Sequence, residues 1–170
     1  MLFRSILGMP VPTFTIVHVL ISLVGILTGV IVVIGMCTNR RFPAWTAIFL
    51  ATTVLTSLTG FLFPIKVIGP PHIVGVLSLL LLIPCLLALY TYKLAGKWRW
   101  IYVVTAVTAL YFNVFVGVVQ AFQKIGFLHA LAPKGSEPPF AIAQGLVLLL
   151  FVVLAVVGVR KFRPRPVLAF

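Results

Sequence analysis

Acid is almost missing from this chain. Among 170 residues there is no aspartate and one glutamate, Glu137. Paired-carboxylate chemistry within one chain is therefore excluded. A Ser-His-acid triad would have to draw on Glu137, and no GxSxG nucleophile elbow exists. Intramembrane proton relays commonly use Asp, Glu or His, so a relay here would rest on His18 alone. Charge of either sign is scarce too. Only 8% of residues are charged, against about 25% in a soluble domain. Cysteine is limited to Cys37, at an expected helix end, and Cys85, inside an expected span. With that separation neither a disulfide nor a thiolate metal site is expected, and both read as small residues compatible with apolar surroundings.

What is present is apolar. Hydrophobic residues make up 62% of the chain and the mean hydropathy is +1.27, which sets the membrane class before any motif is read. The net charge of +12 could point to nucleic acid. The basic residues sit at the ends of apolar runs, however, as orientation signals do, so no nucleic acid is expected as a partner.

The pattern predicts an all-α, polytopic bundle of five transmembrane helices in a single membrane domain, residues 1–170, with spans at about 13–36, 44–63, 72–92, 100–122 and 140–159. The first run is too long for a cleaved signal peptide and lacks its small-residue site, so it reads as a retained span. Pro43 suits a helix start, and Trp45 an interfacial anchor. Pro84 should kink the third span and free a carbonyl. Lys93, Lys97 and Arg99 among Tyr90, Tyr92, Trp98, Trp100 and Tyr102 read as an interface belt. The connection 123–139 has 17 residues, where the other three have seven or eight. Ser136 suits an N-cap for the fifth span.

Five spans put the termini on opposite sides. Nine Lys or Arg then collect on one side (in the 37–43 and 93–99 turns and the tail) against Arg4, Lys66, Lys124 and Lys134 on the other. The positive-inside rule makes the nine-charge side cytoplasmic and the N-terminus outside.

With that orientation the polar residues sort by depth. His18, His72 and His129, all three glutamines and Glu137 gather in the outer half. On the first span His18, Ser22, Gly25 and Gly29 share one face, by their i, i+4, i+7, i+11 spacing, and Gly25 and Gly29 form a GxxxG. On the fourth, Asn113, Gly117, Gln120 and Lys124 repeat the spacing. Two helices packed through those faces would enclose a polar pocket of His18, Asn113 and Gln120, with Lys124 and Glu137 at its mouth, Gln144 nearby and loop 123–139 as a roof. Thr52, Thr56, Thr59 and Gly60 mark a face of the second span. Those threonines have a plainer role as bonds to their own i−4 carbonyls, and Asn113 and Gln120 as interhelical glue.

Several blocks carry a resemblance: Thr56-Ser57-Leu58-Thr59-Gly60-Phe61-Leu62-Phe63-Pro64, Leu94 to Tyr102, Asn113-Val114-Phe115 through Gln120-Ala121-Phe122-Gln123-Lys124, and Ser136-Glu137-Pro138-Pro139-Phe140. Together they resemble a group of small proteobacterial multi-span inner-membrane proteins of no established activity. The resemblance covers about His18 to Gln144. It implies a multi-pass protein of the bacterial inner (plasma) membrane and assigns no catalytic residue.

Three classes of function stand. The first is an accessory or structural subunit of a larger membrane complex, which suits short spans, tight loops and the lack of a soluble domain. The second is a binding or redox module with an outer-leaflet pocket. A quinone or lipid-like ligand would take His18, Asn113 and Gln120. Haem b would take His18 and His72, with Lys66 or Lys124 near the propionates, although His72 opens its helix and His18 lies about 7–8 Å in. A metal ion would take His18, His72 and His129, which lack a local ligand spacing. The third is a small transporter, although five spans do not divide into equal halves.

Overall fold

A computed structural model describes residues 5–63 and 70–163. Arg4, Pro64, Lys66 and Arg165, which figure in the reading above, lie outside them. The described chain is a helical bundle entered through a two-residue-turn hairpin, β1 (Ser5–Ile6) and β2 (Met9–Pro10), paired antiparallel with Ser5 opposite Pro10. Leu7 and Gly8 form the turn with φ of 51° and 77°. The helices are α1 (Val11–Cys37), α2 (Pro43–Gly60), α3 (Pro70–Leu86), α4 (Trp98–Lys124), α5 (Gly126–Leu131) and α6 (Pro138–Lys161). The five long ones begin and end within three residues of the apolar runs, α3 when taken together with the helical turn Leu87–Thr91 that continues it. Proline stands in the first turn of α1, α2 and α6, where its missing N–H has no intrahelical acceptor to lose.

Four segments are long and apolar enough to cross a membrane: α1, His72–Thr91, α4 and α6. They mark the chain as a membrane protein whose apolar sides meet lipid. α2 is shorter, at 18 residues, and six hydroxyl side chains dilute its apolar character.

α1 and α2 form an antiparallel hairpin in close contact along nearly its whole length. At the turn, a Cβ on Gly35 would lie 2.8 Å from Phe42. Farther along, a Cβ on Gly29 would lie 2.8 Å from Phe49, and one on Gly25 would lie 3.1 Å from Thr52 Oγ1. Small residues are what allow two helices to approach so closely. The turn itself is a Schellman motif. Asn39 takes the left-handed position with φ 57°, the Arg40 N–H donates to Gly35 O at 2.7 Å and the Asn39 N–H donates to Met36 O at 3.4 Å.

α3 runs through Pro84 and passes into a π-helical turn over Leu87–Thr91, closed by the Tyr92 N–H donating to Leu87 O at 2.9 Å. Pro84 has no N–H for the carbonyl four residues back, which weakens the α register there. The chain then turns through left-handed Lys93, Leu94 and Gly96 into α4.

α4 is the hub, touching α1, α2, α3, α5 and α6. Ala106 and Ala109 are fully buried on it among Val103, Val107 and Leu110. α6 closes on this face at Gly158, where a Cβ would stand 2.9 Å from Val103. The rest of α6 is outward: only Phe151 and Gly158 are buried on it.

The end of the bundle carrying Arg40, Lys93 and Lys161 is knit by polar contacts. The Arg99 Nη1 donates to Val159 O at 3.1 Å and also to Phe162 O, satisfying carbonyls that α6 leaves free at its C-terminus. The Arg163 N–H donates to Asn39 Oδ1 at 2.7 Å. Tyr92 and Trp98 stack with centroids 3.8 Å apart. Tyr102, read above as part of the interface belt, is buried instead, because α4 begins at Trp98 and its second turn already faces the core.

The core position of Gly29 gives a direct test. A single methyl there would meet Leu110 Cδ1 at 2.6 Å and Phe49 at 2.8 Å, so Gly29→Ala should destabilise the bundle by about 1–3 kcal/mol through overpacking. Leu149→Ala, on the 60% exposed lipid side of α6, should have little effect. Unfolding of the purified chain in detergent measures both.

Candidate functional site

The polar seam begins with His18 in α1. Its Nδ1 lies 2.8 Å from Thr59 Oγ1 of α2. The Thr59 hydroxyl proton is already committed, since it donates to Leu55 O at 2.6 Å. The threonine oxygen must therefore accept from His18, which fixes the proton on Nδ1 and leaves Nε2 as the acceptor of a neutral ring. The ring packs edge-on against Phe63, centroids 5.2 Å apart, and Phe63 in turn meets Phe14 at 5.1 Å.

One turn along, the Ser22 hydroxyl donates to His18 O at 2.8 Å and more weakly to Thr56 Oγ1 at 3.4 Å. Thr52 returns its proton to Ile48 O at 2.7 Å while its oxygen faces Gly25. The hydroxyls of α2 thus do two jobs. Thr52 and Thr59 bond their own helix, as the plainer reading has it, and Thr59 and Thr56 also present oxygens to α1. In a medium without water, such pairing avoids leaving polar groups unsatisfied.

Asn113 joins this seam from α4. Its Nδ2 donates to Thr53 Oγ1 at 3.1 Å, and a Cβ on Gly25 would lie 3.7 Å from the same nitrogen. Thr53 is fully buried, with Thr46 and Ser57 buried on the same side of α2. This second hydroxyl stripe escaped the sequence reading. Its i, i+7, i+11 spacing was legible, but the neighbouring Thr52-Thr56-Thr59 stripe drew attention to the other side.

The remaining residues do not share one space. The His18 stripe meets the threonines of α2 where the sequence pattern expects the Gln120 stripe of α4. The physical reason is the turn: five residues, 38–42, opening with a Schellman cap, hold α1 against α2, and Phe49 and Leu110 already fill the room beside Gly29. On α4, Gly117 is exposed, with Ile26 Cδ1 3.8 Å from where its side chain would begin. Gln120 is half-exposed and Lys124 exposed, although Lys124 stands within electrostatic reach of His18. Gln144 of α6 binds elsewhere, with Nε2 donating to Phe115 O at 3.1 Å. Phe115 is two residues from Asn113, about 200° around the helix, so Gln144 and Asn113 lie on different sides of α4. The Gln144 Oε1 is buried with no hydrogen-bond partner among the described residues.

Glu137 stands at the N-cap of α6, a place expected for Ser136. Its carboxylate turns back on the preceding loop and accepts from the Lys134 and Ser136 N–H groups, each at 3.0 Å. The Lys134 N–H is the main cause that holds its pKa below the usual carboxylate value. The ionised form therefore supports this turn, and the support is lost only as pH falls through that lowered value. The expected long loop is shortened by α5, whose N-terminal turn closes with the His129 N–H donating to Ile125 O at 2.8 Å. His129 is exposed. His72 packs on Phe61, centroids 6.3 Å apart. His18 and His72 thus lean on different rings of the segment that follows α2. Among the described residues no three His, Cys, Asp or Glu side chains gather as a metal-binding group.

Two cavities lie away from this seam. One of about 120 Å³ sits at the basic end, beside Arg40 and Tyr102, and one of about 450 Å³ lies along α2 and α3. Comparison with protein-family models, with curated proteins and with solved structures gives no match to this chain.

If the seam holds helices together, His18 and Thr59 should be energetically coupled. A double-mutant cycle of His18→Leu and Thr59→Val should give a coupling of about 0.6–1.7 kcal/mol, the range for intramembrane hydrogen bonds. His18→Leu with Gln120→Leu should be additive.

Proposed function

We propose that the chain is an accessory or structural subunit of a larger complex in a bacterial inner membrane, related to the small proteobacterial proteins it resembles. The observation that carries this reading is the use of the polar groups. His18, Ser22 and Asn113 bond hydroxyls of the neighbouring helix α2, and Gly25 and Gly29 beside them are closed over by Thr52, Phe49 and Leu110. Polar groups used in this way are interhelical glue.

A second observation points outward. Ile142, Leu146, Leu149, Leu150, Val152 and Val153 of α6 are half or more exposed, a broad apolar face available to lipid or to the helix of another subunit.

In this reading α2 also crosses the membrane, making five spans. Its support is the α1–α2 hairpin, whose contacts run from Gly35 beside Phe42 to His18 beside Thr59. Those 17 residues of α1 rise about 26 Å, close to the thickness of the hydrocarbon core. The N-terminus is then outside and the basic end cytoplasmic, by the excess of Lys and Arg there.

Blue-native electrophoresis of native membranes tests the assignment. A band well above monomer and dimer is expected, and a band at the monomer or dimer alone would refute it. A haem absorption band in the purified protein would favour the binding-module alternative. Reporter fusions after Gly135 and after Arg163 should report periplasm and cytoplasm respectively.

A further inference from the structure

The cavity at the basic end has a chemistry that the seam at the other end lacks. Arg40 and Arg41 line it with Thr46, Tyr90, Tyr102 and Phe162. The arginines stand on fixed backbone. The Schellman turn holds Arg40 N to Gly35 O, Phe42 packs beside Gly35, and Asn39 is tied to Arg163. Neither guanidinium donates to an acceptor among the described residues, unlike Arg99, which is bound to the end of α6.

No acidic side chain is at hand to neutralise them. The one acid, Glu137, opens α6. Arg163, beside Asn39, follows the other end of that helix, so α6 separates the two by roughly 36 Å of helical rise. Among the described residues, no acidic side chain stands beside Arg40 and Arg41.

An apolar groove adjoins the cavity. It runs along α2 past Ala47, Ala51 and Leu55, against Leu86 and Tyr90 of the third span, and has a volume of about 450 Å³. Tyr90 lines both spaces and Ala47 follows Thr46 directly. A charged mouth at the membrane surface that continues into an apolar slot between two helices has the shape of one kind of molecule.

We propose that this is a binding site for an anionic glycerophospholipid, with its phosphate on Arg40 and Arg41 and one acyl chain along the α2–α3 groove. Arginine suits the role because its planar fork donates two parallel bonds to a phosphate. Basic pockets between spans take anionic headgroups by this means. The groove from Ala47 to Leu55 extends about 12 Å along α2, enough for the upper part of a chain. The inference needs these helices to lie in a bilayer but does not depend on the subunit role, so a monomeric protein could still carry the site.

The full-length chain, purified in detergent, is titrated with fluorescent phosphatidylglycerol, with fluorescent phosphatidylcholine and with inorganic phosphate as a competitor. Phosphatidylglycerol should bind more tightly than phosphatidylcholine, and phosphate alone should not displace it. Each surface arginine contributes roughly a factor of five. The Arg40→Gln/Arg41→Gln double variant should therefore weaken phosphatidylglycerol binding on the order of 25-fold, with Lys134→Gln unchanged. Ala51→Trp, which blocks the groove and leaves the charges in place, should weaken binding as well. Unchanged melting of the variants shows that they fold. Equal binding of the two lipids, full displacement by phosphate, or wild-type affinity in the double variant would each overturn the site.

Discussion

The close approach of α1 and α2 is the constraint on which the rest depends. It is set by a short turn at one end and by three glycines along the way, Gly35, Gly29 and Gly25, each facing a side chain of α2 or its lead-in at contact distance. Lipid offers no hydrophobic drive for two apolar helices to associate, so fit and hydrogen bonds must supply it. The glycines provide the fit, and His18–Thr59 and Ser22–Thr56 provide the bonds. α4 then packs across this hairpin through Leu110 and Asn113, and α3 and α6 pack on α4.

The two ends of the bundle are built differently. At the His18 end, neutral hydroxyl, imidazole and amide groups satisfy one another at short range. At the basic end, side chains bond main-chain groups instead: the Arg99 guanidinium donates to the carbonyls closing α6, and the Asn39 side chain accepts from the Arg163 N–H. This contrast locates the unneutralised charge. His18 and Asn113 at one end are paired with Thr59 and Thr53 of α2, and Arg40 and Arg41 at the other end face a cavity with no acidic side chain among its lining residues.

The helices were legible because the apolar runs are long and punctuated. Pro12, Pro43 and Pro138 open α1, α2 and α6, and the threonine, glycine and histidine spacings gave the interior faces of α1 and α2. Partners were harder to read. A stripe with period 3.6 says which residues share a face but not which neighbour that face meets. The sequence reading paired the His18 stripe with Gln120 on α4, whereas the structure pairs it with Thr59 on α2, across a Schellman turn at Asn39, a left-handed asparagine that no periodicity reveals. Thr53, the partner of Asn113, was hidden by the more conspicuous Thr52 beside it. Gln144 was placed near the seam by depth alone, and its position around α6 sent it to Phe115 instead. The basic-end cavity was also invisible, since it forms where the α1–α2 turn, the π-helical turn and Phe162 converge from distant parts of the chain.

The account stands most directly on the pairing of α1 with α2. In a chain with Cys37→Ser and Cys85→Ala, Ser22→Cys can be combined with Thr56→Cys or with Gln120→Cys, and the membranes oxidised before solubilisation. The Ser22 and Thr56 oxygens are 3.4 Å apart, so the first pair should form an intramolecular disulfide rapidly and the second should remain reduced. Rapid closure of the Ser22–Gln120 pair, with Ser22–Thr56 left open, would contradict the hairpin and everything placed on it.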